Sequence, residues 1–199
     1  MGFEDPEEVP VAEGTFARIQ DSLRRVFEDT AAPKEVRRRV LEASVRAPQV
    51  WHRDAVRTAY ATGDGEWKLT ALFAIRFVEG FDEQILEALE SGSPAVRREA
   101  VRAAGDRGVE AAWPHVAGIV AAPAPEKALL LAAIEAVPGL RPHDAHEVLA
   151  HLADADDEEI ADAVYEALSA AGPDEDDELD EDEEGEDEDE GDEDDDVRH

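Results

Sequence analysis

A regular internal repeat is the feature that most constrains how this 199-residue chain can fold. Five segments align when they are superposed on the anchors Val36, Trp67, Val96, Lys127 and Ile160. The residues four and seven positions after every anchor are all apolar. Because offsets of 0, 4 and 7 lie on one face of an α-helix, each segment is predicted to form a helix that buries this face. A repeat with this spacing between anchors is typical of stacked helical arrays.

The ends of these helices are predicted from proline and glycine. Prolines precede three anchors by two or three positions, and the first helical turn tolerates proline because its missing N–H has no helical partner. Glycines follow three anchors by twelve positions, a placement that suits a helix C-terminus. The prolines are Pro33, Pro94 and Pro125, and the glycines are Gly108, Gly139 and Gly172.

A second helix is predicted after each of the first four repeat helices. It is indicated by apolar pairs four positions apart: Val56/Tyr60, Ile85/Leu89, Val116/Val120 and Val148/Leu152. One further amphipathic helix, capped by Thr15, precedes the first unit. No segment alternates with a period of two, so no sheet is expected. The predicted fold class is therefore all-α, an α-solenoid of about four and a half helix pairs.

The segment SPAVRREAVRAAGDRGVEAAWPHVAGIVAAP at residues 93–123 resembles HEAT and HEAT-like repeats of the bilin-lyase type. Its VR pair, its alanine-rich first helix and its glycine-ended turn carry the resemblance, which extends over roughly residues 33–172. The first two units depart from the pattern, since they are richer in aromatics and lack the shared glycine. The resemblance implies a right-handed stack of antiparallel helix pairs whose second helices line a concave, protein-binding surface.

Acidic residues are concentrated at the C-terminus. From Asp174 to Asp196, every position except Leu179, Gly185 and Gly191 is Asp or Glu. Residues 174–199 thus carry −19 of the net charge of −33, and residues 1–173 carry −14. Like-charge repulsion and the scarcity of apolar residues predict a disordered tail. The expected organisation is a flexible acidic leader at 1–14, a HEAT-like helical repeat domain at 15–172 and a disordered Asp/Glu-rich tail at 173–199.

Composition and missing motifs exclude several functions. The absence of cysteine excludes thiol nucleophiles, Cys-ligated zinc and disulfides. The charge argues against nucleic acid and anionic membranes as partners of the full-length chain. No phosphate-binding glycine loop, nucleophile elbow or zinc-protease motif is present. We therefore expect no cofactor and no metal. Because no secretory signal or membrane-spanning segment is found, a cytoplasmic protein is expected. A monomer is also expected.

Two groups of polar residues require a choice between a functional and a structural interpretation. His143, Glu147 and His151 follow an i, i+4, i+8 spacing that suits either a metal or an exposed polar helix face, and we favour the latter. The arginines near residues 37–57 and 97–107 either bind phosphate or carboxylate groups or pair with neighbouring acids, and we favour ion pairing. The candidate partner contacts on second helices are His52, Asp54, Arg57, His143, Glu147 and His151.

The expected function is a non-catalytic scaffold or adaptor that binds a protein partner on the concave face. The acidic tail either contacts basic proteins, tunes the charge by covering the arginines, or only aids solubility. The alternatives are a HEAT-like enzyme or a bilin lyase or chaperone. An alkylpurine DNA glycosylase-like protein ranks lower, because Trp51, Asp54 and Arg57 mimic its site but the net charge opposes DNA binding.

Overall fold

The computed structural model describes residues 13–172, which contain ten α-helices and no strand, so the all-α prediction is confirmed for this range. The leader up to residue 12 and the tail at 173–199 lie outside the described residues. The helices are α1 (Glu13–Glu28), α2 (Lys34–Ser44), α3 (Val50–Ala61), α4 (Gly65–Ile75), α5 (Asp82–Leu89), α6 (Pro94–Arg107), α7 (Trp113–Val120), α8 (Lys127–Leu140), α9 (Ala145–Leu149) and α10 (Glu158–Ala171).

The five anchors of the repeat all lie in the even-numbered helices, α2, α4, α6, α8 and α10. In α4, α6 and α10, the residues four and seven positions after the anchor are buried, as the period predicts. The first unit differs, because α2 buries Leu41 and Ser44 instead and leaves Ala43 exposed. The apolar face that the repeat predicts is therefore partly open in α2.

Helix packing follows a simple order along the chain. Each odd-numbered helix packs against the even-numbered helix that follows it, and the even helices pack against one another in sequence from α2 to α10. The pairs that pack together thus begin with an odd helix, whereas the sequence repeat predicts a unit that begins with an even one. Within residues 13–172, the buried apolar side chains form one continuous core.

Two of the three glycines predicted to end helices do so. Gly108 and Gly172 follow α6 and α10 with φ of 60° and 94°, conformations that favour glycine. The prediction for Gly139 is wrong, because α8 continues through it to Leu140. A Cβ at Gly139 would overlap the carbonyl oxygen of Gly105 on α6, and a Cβ at Gly105 would lie 2.6 Å from Ala136 Cα. Gly105 and Gly139 therefore allow α6 and α8 to approach at backbone distance.

The N-terminal boundary also differs from the prediction. Helix α1 begins at Glu13, two positions before Thr15, so Thr15 lies inside the helix and is not its cap. Its hydroxyl instead accepts a hydrogen bond from Arg18 at 3.1 Å.

Ion pairs between positions one repeat apart in the sequence join neighbouring even helices. Lys34 Nζ on α2 lies 3.0 Å from Asp64 Oδ2, and Lys127 Nζ on α8 lies 2.7 Å from Asp157 Oδ2. Both aspartates are also N-caps: Asp64 accepts from the backbone of Trp67 at 3.1 Å, and Asp157 accepts from that of Glu159 at 3.1 Å. Each aspartate thus fixes the start of its own helix and binds the preceding even helix.

Candidate interaction groove

One concave feature of residues 13–172 lies on the even helices. It is a groove of about 520 Å³ between α2, α4 and α6, here called the arginine groove. Its volume falls within the range of ligand and peptide pockets in proteins.

The floor of the arginine groove is apolar. Leu69 and Phe73 are one turn apart on α4 and are half-buried, so each presents part of its side chain to the groove. Ala43 of α2 and Ala95 of α6 form the walls, and their short side chains leave the floor accessible. The exposure of Ala43, which the repeat did not predict, is thus part of what opens the groove.

Three arginines line the groove, and two of them have no carboxylate partner in residues 13–172. The Arg46 guanidinium lies 5.7 Å from the centroid of the Phe73 ring, within the range of a cation–π contact, and forms no ion pair with any residue of this range. Arg98 is half-buried, and its side chain forms neither an ion pair nor a hydrogen bond within the described part of the chain. Arg39, in contrast, pairs with Glu35 at 3.0 Å and with Glu42 at 3.2 Å.

The two carboxylates beside the groove are already engaged. Glu42 accepts a hydrogen bond from the Thr70 hydroxyl at 2.7 Å, in addition to its pairing with Arg39. Glu99 pairs with Arg102 at 3.0 Å. Neither acid forms an ion pair with Arg46 or Arg98, so, among the described residues, the groove keeps two unmatched positive charges above an apolar floor.

His52 is not a contact residue, contrary to the sequence prediction, because its side chain is fully buried. The backbone N–H of Gln49 donates to His52 Nδ1 at 2.7 Å, and Nε2 lies 3.0 Å from the Ser44 hydroxyl oxygen. Since Nδ1 accepts, the neutral ring carries its proton on Nε2 and donates it to Ser44. Burial lowers the pKa of His52 and so favours this neutral form. His52 therefore holds the start of α3 against the end of α2.

Asp54 and Arg57 are exposed on α3 and remain predicted contacts. The Arg57 guanidinium donates to Asp54 at 2.6 Å, so each residue already has a partner on its own helix. Both lie outside the arginine groove.

His143, Glu147 and His151 are exposed, as the polar-face interpretation requires. They do not share one continuous helix, because α9 spans only Ala145–Leu149 and is flanked by 3₁₀ segments at Pro142–Asp144 and Ala150–Leu152. His151 Nε2 lies 3.3 Å from the carbonyl oxygen of Val120 at the end of α7. Their role as partner contacts remains a prediction. Within residues 13–172, no group of three or more His, Cys, Asp or Glu side chains is arranged to hold a metal ion.

Most of the arginines form local contacts, as the ion-pair interpretation predicts. Arg38 pairs with Glu35 at 3.1 Å. Asp106 is also paired, but with Arg76, the residue that follows α4. Arg37 was not distinguished from its neighbours by the sequence: its guanidinium packs 5.4 Å from the Trp67 ring. Arg46, Arg53, Arg97 and Arg98 form no ion pair within the described residues, and of these four Arg46 and Arg98 line the groove.

Comparison with known proteins gives no family assignment. No protein-family model matches the chain, and no curated protein matches its sequence. Among residues 13–172, no helix is both long enough and apolar enough to cross a membrane.

Proposed function

We propose that this protein is a non-catalytic scaffold that binds a partner protein in the arginine groove. The observation that carries the proposal is a pair of guanidinium groups, Arg46 and Arg98, that have no ion-pair partner within residues 13–172 and lie beside the exposed part of Phe73. Aromatic and arginine side chains of this kind dominate the energetics of protein interfaces. A segment that carries a carboxylate next to an apolar side chain is the ligand that such a groove complements.

The proposed architecture is a right-handed solenoid of antiparallel, HEAT-like helix pairs. It is supported by the sequential packing of even helices and by the odd–even pairs, since each pair contacts its neighbours along the chain. We place the even helices on the concave side, because Gly105 and Gly139 bring α6 and α8 to backbone distance. The resemblance to HEAT repeats would instead place the second, odd-numbered helices there.

The lining of the groove supports a binding role over catalysis. It consists of Arg, Glu, Ala, Leu and Phe side chains and offers no Ser, Cys, Lys or His nucleophile. Glu42 and Glu99 are held by neighbouring donors, so neither is poised to abstract a proton from a bound molecule.

The test compares two double variants of the full chain with equal changes of charge. Arg46→Gln/Arg98→Gln removes the unmatched groups of the groove, and Arg24→Gln/Arg25→Gln removes two exposed arginines of α1. A partner is isolated from extracts of the source cells with the wild-type chain, purified, and titrated against all three proteins by calorimetry. We expect its affinity to fall by about tenfold or more for the groove variant alone. Equal affinity for all three proteins, or turnover of a bound molecule, would refute the proposal.

A further inference from the structure

We infer that the arginine groove is occupied by the chain's own acidic segment, residues 174–196, until a partner displaces it. The inference rests on the proposed function, since it identifies what competes with the partner for the same groove. Two facts lead to it: the groove holds two arginines without an ion-pair partner among the described residues, and this segment is the densest run of carboxylates in the chain.

The chemistry of the groove and of the segment is complementary. The guanidinium groups of Arg46 and Arg98 offer planar pairs of donors that match a carboxylate in two-point contact. Neither group has an ion-pair partner within residues 13–172, so no existing pair has to be broken. The exposed part of Phe73 can pack against the methylene groups of the Glu side chains of this segment.

The geometry allows the contact within one molecule. The described helices end at Ala171 of α10, which is separated from α2 by four steps of helix packing. At ~8–10 Å per step and a helix length of ~21 Å, the groove lies within about 45 Å of Gly172. An extended chain covers this distance in about 14 residues. The segment beyond about residue 186 therefore reaches every part of the groove.

Covalent attachment favours this occupant over an acidic peptide from another molecule. Residues 1–173 carry −14, so a free acidic peptide is repelled as it approaches, whereas the attached segment is held near the groove at a millimolar effective concentration. A weak, charge-dependent contact is then sufficient to cover the groove. A partner gains access only when it binds to the groove more tightly than the attached segment does.

Paramagnetic relaxation in the full chain tests the inference. The chain has no cysteine, so Gly191→Cys gives a single site for a nitroxide label and removes no carboxylate. In low salt we expect the label to broaden the methyl signals of Ala43 and Ala95 in the groove, while the methyl signal of Thr58 on α3 stays sharp. The broadening should disappear near 1 M salt, where charges are screened beyond ~3 Å.

The variants distinguish the groove from general attraction between charges. We expect Arg46→Gln/Arg98→Gln to reduce the ratio of bound to free segment by about three- to tenfold, and Arg24→Gln/Arg25→Gln to leave it unchanged. No broadening at Ala43 and Ala95, equal broadening at Thr58, or equal loss in both variants would overturn the inference. Broadening found only between differently labelled molecules would assign the contact to a second copy and would also overturn it.

This outcome is independent of the test of the proposed function. The relaxation experiment contains no partner, so it can fail while the partner still binds to the groove. Conversely, calorimetry can show no dependence on Arg46 and Arg98 while the acidic segment still contacts them.

Discussion

Replacing Gly105 by alanine tests the close packing of α6 and α8. Gly105 lies inside α6, where alanine is better than glycine by about 1 kcal/mol in helix propensity alone. However, the added Cβ would lie 2.6 Å from Ala136 Cα and 2.7 Å from Ala136 Cβ. Because one of these contacts is to backbone, the two helices must separate to relieve it.

The expected net effect is a loss of stability. Overpacking of a tight contact costs up to about 3 kcal/mol, which exceeds the gain in propensity by about 2 kcal/mol. For a domain of this size, that loss lowers Tm by about 4–8 °C. Thermal unfolding of the full chain, followed by circular dichroism at 222 nm, measures the shift.

Gly118 supplies the matched control. It also lies in a helix, α7, but a Cβ built there meets no atom within 4 Å. Gly118→Ala should therefore raise the free energy of unfolding by about 0.4–1 kcal/mol. If Gly105→Ala were as stable as the wild type while Gly118→Ala behaved as expected, the close packing of α6 and α8 at Gly105 would be disproved.

Three further predictions concern hydrogen bonds and titration. Burial lowers the pKa of His52, so the stability that neutral His52 provides is present above pH 6.5 and is lost as pH falls below that value. His52→Gln should therefore lower the free energy of unfolding, measured in urea, by about 1–3 kcal/mol at pH 7.5 and by less at pH 5. Tyr60→Phe removes a 2.9 Å hydrogen bond to the Gln84 carbonyl and should lower the free energy of unfolding by about 1 kcal/mol, while an unchanged urea midpoint would contradict this. Asp64→Ala should lower Tm more than Asp64→Asn, because asparagine can still cap α4. The hydrogen bond from Lys34 lowers the pKa of Asp64 below its usual 3.8. The difference in stability between wild type and Asp64→Asn should therefore vanish as pH falls below 3.8.

The helices could be predicted because their burial has a helical period. Trp67, Val96 and the residues on the same faces are buried in α4 and α6, so the offsets of 0, 4 and 7 reflect a real core. The exposure of Ala43 could not be predicted, since the residue at the same offset from the anchor is buried in α4 and in α6. Which face of α2 is covered depends on how α2 meets α1 and α4, and the sequence of α2 does not contain that information.

Gly139 shows a second limit of sequence analysis. Glycine suits both a helix end and a close approach between helices, so a glycine at this offset from the anchor is compatible with either role. Only the position of Gly105 on the neighbouring helix distinguishes them. Burial of His52 was missed for a related reason: its partner Ser44 lies across the α2–α3 turn, and a polar residue on a helix gives no signal of such a partner.

Two features of the folded protein are indicated by charge spacing in the sequence: the lack of an acidic neighbour for Arg98 and the ion pairs between even helices. Arg98 has no acidic residue three or four positions away on either side, whereas Arg102 has Glu99 three positions before it. The sequence separation between Lys34 and Asp64 recurs between Lys127 and Asp157, and it matches the period of the repeat. Charge pairs separated by the repeat period therefore indicate the links between even helices.

Site-specific photo-crosslinking tests most directly the claim that a partner binds in the arginine groove. A photoreactive amino acid is placed at Ala95 in the groove or at Asp54 on α3, each in the full chain. We expect a purified partner to crosslink at position 95 and not at position 54, and Arg46→Gln/Arg98→Gln to remove the crosslink. Crosslinking at position 54 alone would refute binding in the groove and would place the partner on the odd helices.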